Sequence, residues 1–307
     1  MTNTNQSHAH SSTRAILYAF VANLGIAFAK TWAAIYTGSG SMLAEAIHSY
    51  ADSGNQVLLF IGLKQSQRPA DADHPLGYGK LIYFWSFIVA LMLFSLGGLF
   101  SIYEGLHKFQ HPEPLNQIWV ALAVLALAVV LESTAMYGVL REVKRLRKGR
   151  SLRYWLKTTR NAELVVVLGE DFAALTGLSL ALVFVGLAAI TGDPVYDAIG
   201  SICIGTVLMV VSIFVGWRIR DLIIGKSAEP DLQAEISQII EDDPVIEHVF
   251  NIITFQVGPQ VMLAAKVKVR PDLSIAEAVK HINRLEKRLK DNHPEIGWSF
   301  IELDLYD

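Results

Sequence analysis

Charged side chains are scarce in this sequence. Lys, Arg, Asp and Glu together make up 18% of the 307 residues, while apolar residues make up 52%. A soluble globular domain usually carries about 25% charged residues. The shortage lies before residue 217, where several windows of about 20 residues, the length that crosses a hydrocarbon core of ~30 Å, hold almost no charge. The composition therefore excludes a wholly soluble chain and predicts an integral membrane protein with an aqueous part after residue 226.

Cysteine is almost absent as well. Cys203 is the single cysteine and lies in an apolar stretch, which excludes both a disulfide framework within the chain and a CxxC metal motif. We expect it to be a packing residue. The first twelve residues are polar and uncharged, without the basic region that begins a secretory signal. Residues 1–12 are therefore predicted to form a disordered N-terminal tail, in which His8 and His10 have no specific role.

Six apolar runs predict membrane-spanning helices. The predicted fold is an α-helical membrane protein, with a six-transmembrane-helix bundle over residues 13–217, a linker over 218–226 and a cytoplasmic C-terminal domain over 227–307. The predicted spans cover residues 14–36, 41–63, 81–105, 116–140, 162–190 and 196–217.

The connector between the fourth and fifth predicted spans is strongly basic. Residues 141–160 contain nine Lys or Arg and one acidic residue. Short loops rich in Lys and Arg stay on the cytoplasmic side of a membrane, so this loop and both termini are predicted to be cytoplasmic. A patch for anionic lipid or nucleic acid is the alternative, but the basic run directly flanks two spans. We therefore expect a lipid bilayer and no nucleic acid as partner.

Residues 227–307 have the composition of an ordinary soluble domain. They carry 15 Asp or Glu and 8 Lys or Arg, a net charge of −7. The pattern predicts a helix over 229–241, strands over 246–257 and 260–269 joined at Gly258 and Pro259, a helix over 274–290 and a strand over 298–305. This αββαβ order is typical of a small, ferredoxin-like α+β domain. Six spans return the chain to its starting side, so the domain is predicted to be cytoplasmic.

A polar stripe runs along the second predicted span. Glu45, His48 and Asp52 are spaced i, i+3 and i+7, which places them on one face of a helix, and Asn55 and Gln56 continue that face. A carboxylate within a membrane costs about 2.5 to 3.5 kcal/mol on insertion scales, so such residues usually serve a function. The imidazole of His48 and the carboxylate of Asp52 can reach one cation together.

Acidic residues also interrupt two later spans. Glu170 and Asp171 are adjacent in the fifth span and point about 100° apart on a helix, so only one of them is expected to face the cavity of His48 and Asp52. Which of the two is the direct ligand stays open. Glu132 in the fourth span either lines the cavity or a proton path, or makes a helix contact. Lys30 in the first span is expected to make helix contacts and to snorkel towards the membrane surface.

Nitrogen and carboxylate ligands together favour a divalent transition metal. Such a set suits Zn²⁺, with Mn²⁺, Fe²⁺ and Co²⁺ as competitors, and the lack of thiolate or thioether ligands argues against Cu⁺. Protons compete with metal for imidazole and carboxylate, so a proton gradient can expel a metal ion. No GxxxxGK[ST] motif for ATP binding occurs, and no nucleophile–base arrangement indicates an enzyme. The alternatives are a passive metal channel, a membrane-bound metalloenzyme and a membrane scaffold that transports nothing.

The combination of these features resembles the cation diffusion facilitator family, the zinc transporter (ZnT) family of animals. The second span carries an HxxxD motif from His48 to Asp52, the fifth carries Asp171, and the connector PADADHPLGYGK is similar to a family segment. The sequences AEAIHSYADSGNQ and GED look closest to the zinc transporter 9-like branch. The resemblance implies a homodimer in a bacterial inner or plasma membrane. It also implies that Zn²⁺ or a related metal is the substrate, exchanged for protons by alternating access between spans two and five, with no organic cofactor.

The sequence departs from the family pattern in three regions. The usual first ligand of the fifth span falls at Val167, so Glu170, Glu45 or water has to take its place. In the connector, Asp71 and His74 match a second family site, but Tyr78 stands at its second histidine. In the C-terminal domain, non-coordinating residues replace histidines of metal-binding relatives, so we expect dimerisation there rather than tight metal binding. The replaced positions are Phe250 and Lys266, and the possible ligands that remain are Glu302 and Asp304.

Overall fold

The fold is that of a computed structural model, which describes residues 24–306. The predicted tail over residues 1–12 and the first half of the first predicted span lie outside the described residues. Contacts divide the chain into two compact units. One comprises residues 24–61, Trp85–Gly149 and Glu163–Trp217, and the other comprises Gly62–Phe84, Arg150–Ala162 and residues 218–306.

Long helices occupy the six predicted apolar runs. Residues 24–37 are helical (α1), and the chain turns at Gly38 and Ser39 into α2. A short helix within the basic connector, α5, was not predicted, and α3 contains a π-helical stretch at Leu93–Leu99. The helices after α1 are α2 (Gly40–Ser66), α3 (Leu81–Gln110), α4 (Ile118–Leu146), α5 (Leu152–Thr158), α6 (Ala162–Thr191) and α7 (Val195–Ile224).

Four of these helices, α3, α4, α6 and α7, are long and apolar enough to cross a membrane. The protein is thus a multi-pass membrane protein. The helix α2 has 27 residues, which is sufficient length, but its polar stripe lowers its hydropathy. Of the first predicted span, the structure describes residues 24–36, which are too few to test a membrane span. The prediction of six spans is therefore confirmed for four of them.

Small residues allow the membrane helices to pack closely. The buried cluster of the first unit contains alanines from α1, α2 and α6, together with Met42 and Leu178. Between α3 and α7, a Cβ added at Gly205 would lie 2.6 Å from the carbonyl oxygen of Gly98. Glycine and alanine at helix contacts let the backbones approach, which is the main source of packing energy between helices in lipid.

The C-terminal part contains the predicted αββαβ order, which confirms the small α+β domain. The strands pair in the order β1-β2-β3, with β1 and β2 antiparallel and β2 and β3 parallel. Gly258, with φ of +62°, makes the tight turn between the first two strands. A capping box of Ser274 and Glu277 begins α9. The elements are α8 (Pro230–Glu241), β1 (Ile246–Val257), β2 (Gln260–Val269), α9 (Ile275–Asn292) and β3 (Ile296–Leu303).

Candidate metal centre

A polar cavity of about 100 Å³ lies among four helices of the first unit. This volume holds several water molecules, or one cation with part of its water. Five of the lining side chains are acidic or amide groups, and all five are candidate site residues from the sequence. The lining residues are Ile26 of α1, Ser49, Asp52 and Gln56 of α2, Glu132 and Ala135 of α4, and Val167, Glu170 and Asp171 of α6.

His48 and Asp52 form the predicted pair on α2. One helical turn separates them, and the Nε2 of His48 lies 3.4 Å from the Oδ2 of Asp52. The imidazole is buried, while the carboxylate is partly exposed in the cavity. Neither ring nitrogen of His48 has the geometry of a hydrogen bond to any group of the described residues. Asp52 lines the cavity, whereas His48, one helical turn away, is not one of its lining residues. The pair thus places a carboxylate at the cavity wall with an imidazole next to it.

Both acids of α6 line the cavity, so the expectation that only one of them faces it was wrong. The amide nitrogen of Asn55 donates a 2.6 Å hydrogen bond to Oε1 of Glu170. This contact draws the longer glutamate side chain towards α2, while Asp171 reaches the cavity from the next position. Val167, one turn before Asp171, contributes an apolar wall at the position where the resemblance implied a ligand.

Among the residues that the structure describes, several buried polar atoms in or next to the cavity lack a hydrogen-bond partner. They are both ring nitrogens of His48, one of which is an acceptor in the neutral imidazole, and the acceptors Oδ1 of Asp52, Oδ1 of Asn55 and Oδ2 of Asp171. Buried polar atoms are nearly always partnered, so such a concentration of unpartnered atoms indicates a place for a cation or water. Within residues 24–306, however, no three His, Cys, Asp or Glu side chains stand close enough together to hold a metal ion as arranged. A shared ion would require small movements of α2 and α6 side chains towards the cavity.

Lys30 does not snorkel, and that expectation was wrong. Its side chain is 0% exposed, as is that of Glu45. The Lys30 ammonium lies 3.2 Å from Oε2 of Glu45 and donates a 2.8 Å hydrogen bond to the hydroxyl of Ser49. An ammonium buried in the bundle requires an anionic partner, so the ion pair holds α1 against α2. The contact lies about one helical turn from His48.

Asp197 in the first turn of α7 stabilises the start of α2, a contact that was not predicted from the sequence. Its buried carboxylate accepts hydrogen bonds from the Ser39 hydroxyl (2.7 Å) and from the backbone amides of Gly40 (2.6 Å) and Ser41 (3.2 Å). It therefore caps the N-terminus of α2, where a negative charge is favourable. The segment SGSGS marks a helix start, but no sequence signal links it to a residue more than 150 positions away.

The connector residues Asp71 and His74, a possible second site by resemblance, lie in a loop that is held by hydrogen bonds. Oδ1 of Asp71 accepts the backbone amides of Asp73 and His74, and the Tyr78 hydroxyl donates a 2.7 Å hydrogen bond to Oδ2. These bonds, that from Tyr78 foremost, hold the pKa of the Asp71 carboxyl below its ordinary value. The carboxylate thus already has protein donors for both of its oxygens.

The possible ligands of the C-terminal domain lie beside a lysine. The Lys266 ammonium lies 2.8 Å from Oδ2 of Asp304, and Glu302 pairs with Lys266 across β2 and β3. The lysine compensates the charge of this acidic end of β3.

Two family models together match nearly the whole chain. Residues 16–223 match the cation efflux transmembrane domain, and residues 228–306 match the cytoplasmic domain of the cation efflux protein.

Named relatives of the chain include animal and bacterial proteins. The mitochondrial proton-coupled zinc antiporter SLC30A9 of Xenopus laevis is 33% identical over 263 residues, which are 85% of this chain and 46% of that protein. The human SLC30A9 is 32% identical, with 85% and 45% covered. This chain therefore spans about half the length of these antiporters. The magnetosome protein MamB of Magnetospirillum gryphiswaldense is 24% identical over 91% of this chain and 89% of its own length.

Among solved structures, MamM-CTD is similar to part of the chain. It is 15% identical, covers 24% of this chain and 94% of its own, and superposes with a TM-score of 0.23.

Proposed function

Because the chain belongs to the cation efflux family, whose members are transporters and not enzymes, we propose that it exports Zn²⁺ across a membrane in exchange for protons. The observation that carries this proposal is the cavity, which acids of α2 and α6 line together and next to which His48 pairs with Asp52. The name of the SLC30A9 relatives, proton-coupled zinc antiporter, supports both the ion and the coupling.

In this proposal, His48, Asp52 and Asp171 hold the transported ion, and Glu170 completes the set or is replaced by water. Zinc accepts imidazole nitrogen and carboxylate oxygen in a tetrahedral set. Asn55 orients Glu170 through its amide, as groups that hydrogen-bond to a metal ligand usually do. Glu132 adds a fourth carboxylate to the cavity wall, from which it can accept a proton or attract the cation. Val167 limits the number of strong ligands, which favours release of the ion.

Exchange follows from competition for the same atoms. A metal ion binds neutral imidazole and deprotonated carboxylate, so each bound ion displaces protons and each returning proton weakens metal binding. Rocking of the helices that carry the site would expose it to one side of the membrane and then to the other, as in other transporters with a midplane site. An inward proton gradient would then drive the metal ion out.

The proposed transporter has six membrane spans and a cytoplasmic C-terminal domain. Six spans over residues 13–217 and a linker over 218–226 precede a cytoplasmic domain over 227–307, and both termini lie in the cytoplasm. The nine basic residues between positions 141 and 160 support this orientation. A bacterial inner or plasma membrane is the proposed location. A homodimer is supported by a partly exposed apolar surface between α9 and β3, formed by Val279, Phe300 and Leu303.

Transport can be tested with the purified chain in liposomes that contain a Zn²⁺-sensitive dye. We expect Zn²⁺ uptake when the proton gradient is directed out of the liposomes, opposite to the movement of Zn²⁺. This uptake should be lost in Asp52→Ala and in Asp171→Ala. Glu113→Gln, which removes an exposed acid in the connector after α3, is the control and should transport normally. Unchanged uptake in both cavity variants would contradict the site assignment, and uptake that ignores the pH gradient would indicate a passive channel.

The identity of the ion can be tested in the same liposomes. Competition between Zn²⁺ and Mn²⁺, Fe²⁺ or Co²⁺ measures selectivity directly, since oxygen-rich sites also suit these ions. We expect Zn²⁺ to compete best. Stronger competition by Mn²⁺ or Fe²⁺ would assign the protein to export of that ion instead.

A further inference from the structure

The cavity ends abruptly along α2. Its lining residues on this helix are Ser49, Asp52 and Gln56, all on the Ser66 side of Glu45, and its lining residues on α6 lie near the start of that helix, within residues 167–171. Ser49 is the last lining position towards the Gly40 end of α2. An ion that moves from the cavity along α2 towards the Gly40 end therefore passes Ser49.

Lys30 and Glu45 occupy the next turn. The ammonium of Lys30 donates to Ser49 and pairs with Glu45, so it bridges the end of the cavity and the buried acid. Gly177 of α6 closes the other side, since a Cβ added there would lie 2.6 Å from Oε1 of Glu45. Beyond this point the space between the helices is filled by the apolar cluster that includes Met42 and Leu178.

Burying the charges of Lys30 and Glu45 costs desolvation free energy that an apolar contact between the helices would not. Replacing a buried ion pair by apolar side chains of similar size is often neutral or stabilising, so packing alone does not require these charges. Moreover, the side chain of Glu45 is 0% exposed, and its Oε1 accepts no hydrogen bond from any group within residues 24–306. The carboxylate therefore keeps an acceptor atom that Lys30 does not use.

We propose that Glu45 and Ser49 form a second cation station on the metal path, which the ammonium of Lys30 fills as a tethered substitute for the transported ion. The class of ligand is a hard or borderline divalent cation, because the station offers two carboxylate oxygens and a hydroxyl. This inference rests on the proposed transport function and adds a step to it.

The station would work by exchange of two cations. Lysine is a point charge on a flexible four-carbon stem, so its ammonium can withdraw from Glu45 without movement of the helix. Ser49 and Asp52 share one face of α2 one turn apart, so the ammonium can move towards the acid that the metal ion has left. Each carboxylate thereby keeps a positive partner within the membrane, where an unpaired charge is costly.

The test compares the full-length wild type with two variants and a control. Lys30→Met with Glu45→Gln removes both charges with little change in shape, so the fold should tolerate it. Lys30→Met alone leaves Glu45 free for a metal ion. Lys64→Met removes an exposed lysine from the end of α2 and controls for lost positive charge. Zinc flux into liposomes and zinc bound per chain at equilibrium are measured for each.

We expect the double variant to bind zinc in the cavity as the wild type does, but to transport it about tenfold more slowly or worse, because a charge-assisted contact on the path is lost. Lys30→Met should bind one additional zinc ion per chain, and Lys64→Met should behave as the wild type.

Wild-type flux in the double variant would overturn the proposal and make the ion pair a packing contact. A folded Lys30→Met that binds no additional zinc would overturn it too, and if that variant does not fold, the flux of the double variant decides. Absence of flux in both the wild type and Lys64→Met would instead refute the transport function. The number of zinc ions bound per chain by Lys30→Met would then decide whether Glu45 and Ser49 bind a cation.

Discussion

Replacing Val167 by histidine should add a metal ligand to the apolar side of the cavity and raise its affinity for zinc. Val167 lines the cavity one helical turn before Asp171, at the position where the sequence resemblance implies a ligand. The cavity of about 100 Å³ leaves room for an imidazole, which is only slightly larger than the isopropyl group. Loss of a group that merely orients a ligand costs about 10- to 100-fold in metal affinity, so a direct nitrogen ligand should raise zinc affinity by at least that factor. This corresponds to about 1.4 to 2.8 kcal/mol.

The assay is competition for Zn²⁺ between the purified protein and a fluorescent chelator. Val183→His is the matched control, because Val183 lies on the same helix, is 57% exposed and does not line the cavity. We expect higher affinity in Val167→His only, with slower zinc release and therefore slower transport. A folded Val167→His with unchanged or lower affinity would refute the assignment of this cavity as the metal site, and equal gains in both variants would show that the added imidazole acts without regard to position.

Three further outcomes follow from contacts elsewhere in the chain. Asn55→Ala removes the amide that orients Glu170, so zinc affinity in the chelator assay should fall by about 10- to 100-fold; unchanged affinity would contradict that role. Asp197→Asn weakens the cap of α2 and should lower the unfolding free energy by about 2 kcal/mol, measured by thermal unfolding in detergent; an unchanged melting temperature would contradict the cap. The Lys266 hydrogen bond holds the pKa of the Asp304 carboxyl below its ordinary value, so its stabilisation is present at neutral pH and is lost as pH falls through that pKa. Asp304→Asn should therefore lower the melting temperature at neutral pH and not in acid, whereas an equal effect at both would contradict the ion pair.

Local periodicity was sufficient to predict much of this molecule. The spacing of His48 and Asp52 determines that they share a helix face, because side chains four residues apart are neighbours on any α-helix. The same logic gave the order of the C-terminal domain, where the alternation of β1 and β2 around Gly258 and the amphipathic pattern of α9 are each contained within one segment. These features depend on neighbours in the sequence, so they can be predicted without knowledge of the fold.

Pairings between helices could not be predicted in this way. The bond from Asn55 to Glu170 joins residues 115 positions apart, and the cap of Asp197 on Gly40 joins residues 157 positions apart. Which helices are neighbours depends on packing of small residues along their whole length. Lys30 shows the consequence most clearly. Its place in a span predicted a side chain that reaches the membrane surface, whereas a buried acid on α2 holds it inside.

The central claim is that side chains of α2 and α6 share one ion. The most direct test is a cryo-electron microscopy or crystal structure of the zinc-loaded protein, with the metal identified by anomalous scattering in the crystal. We predict a single bundle site, with zinc about 2.0 to 2.2 Å from a nitrogen of His48 and from carboxylate oxygens of Asp52 and Asp171. A transport-competent preparation in which zinc binds only at the connector loop of Asp71, with none between α2 and α6, would contradict the claim.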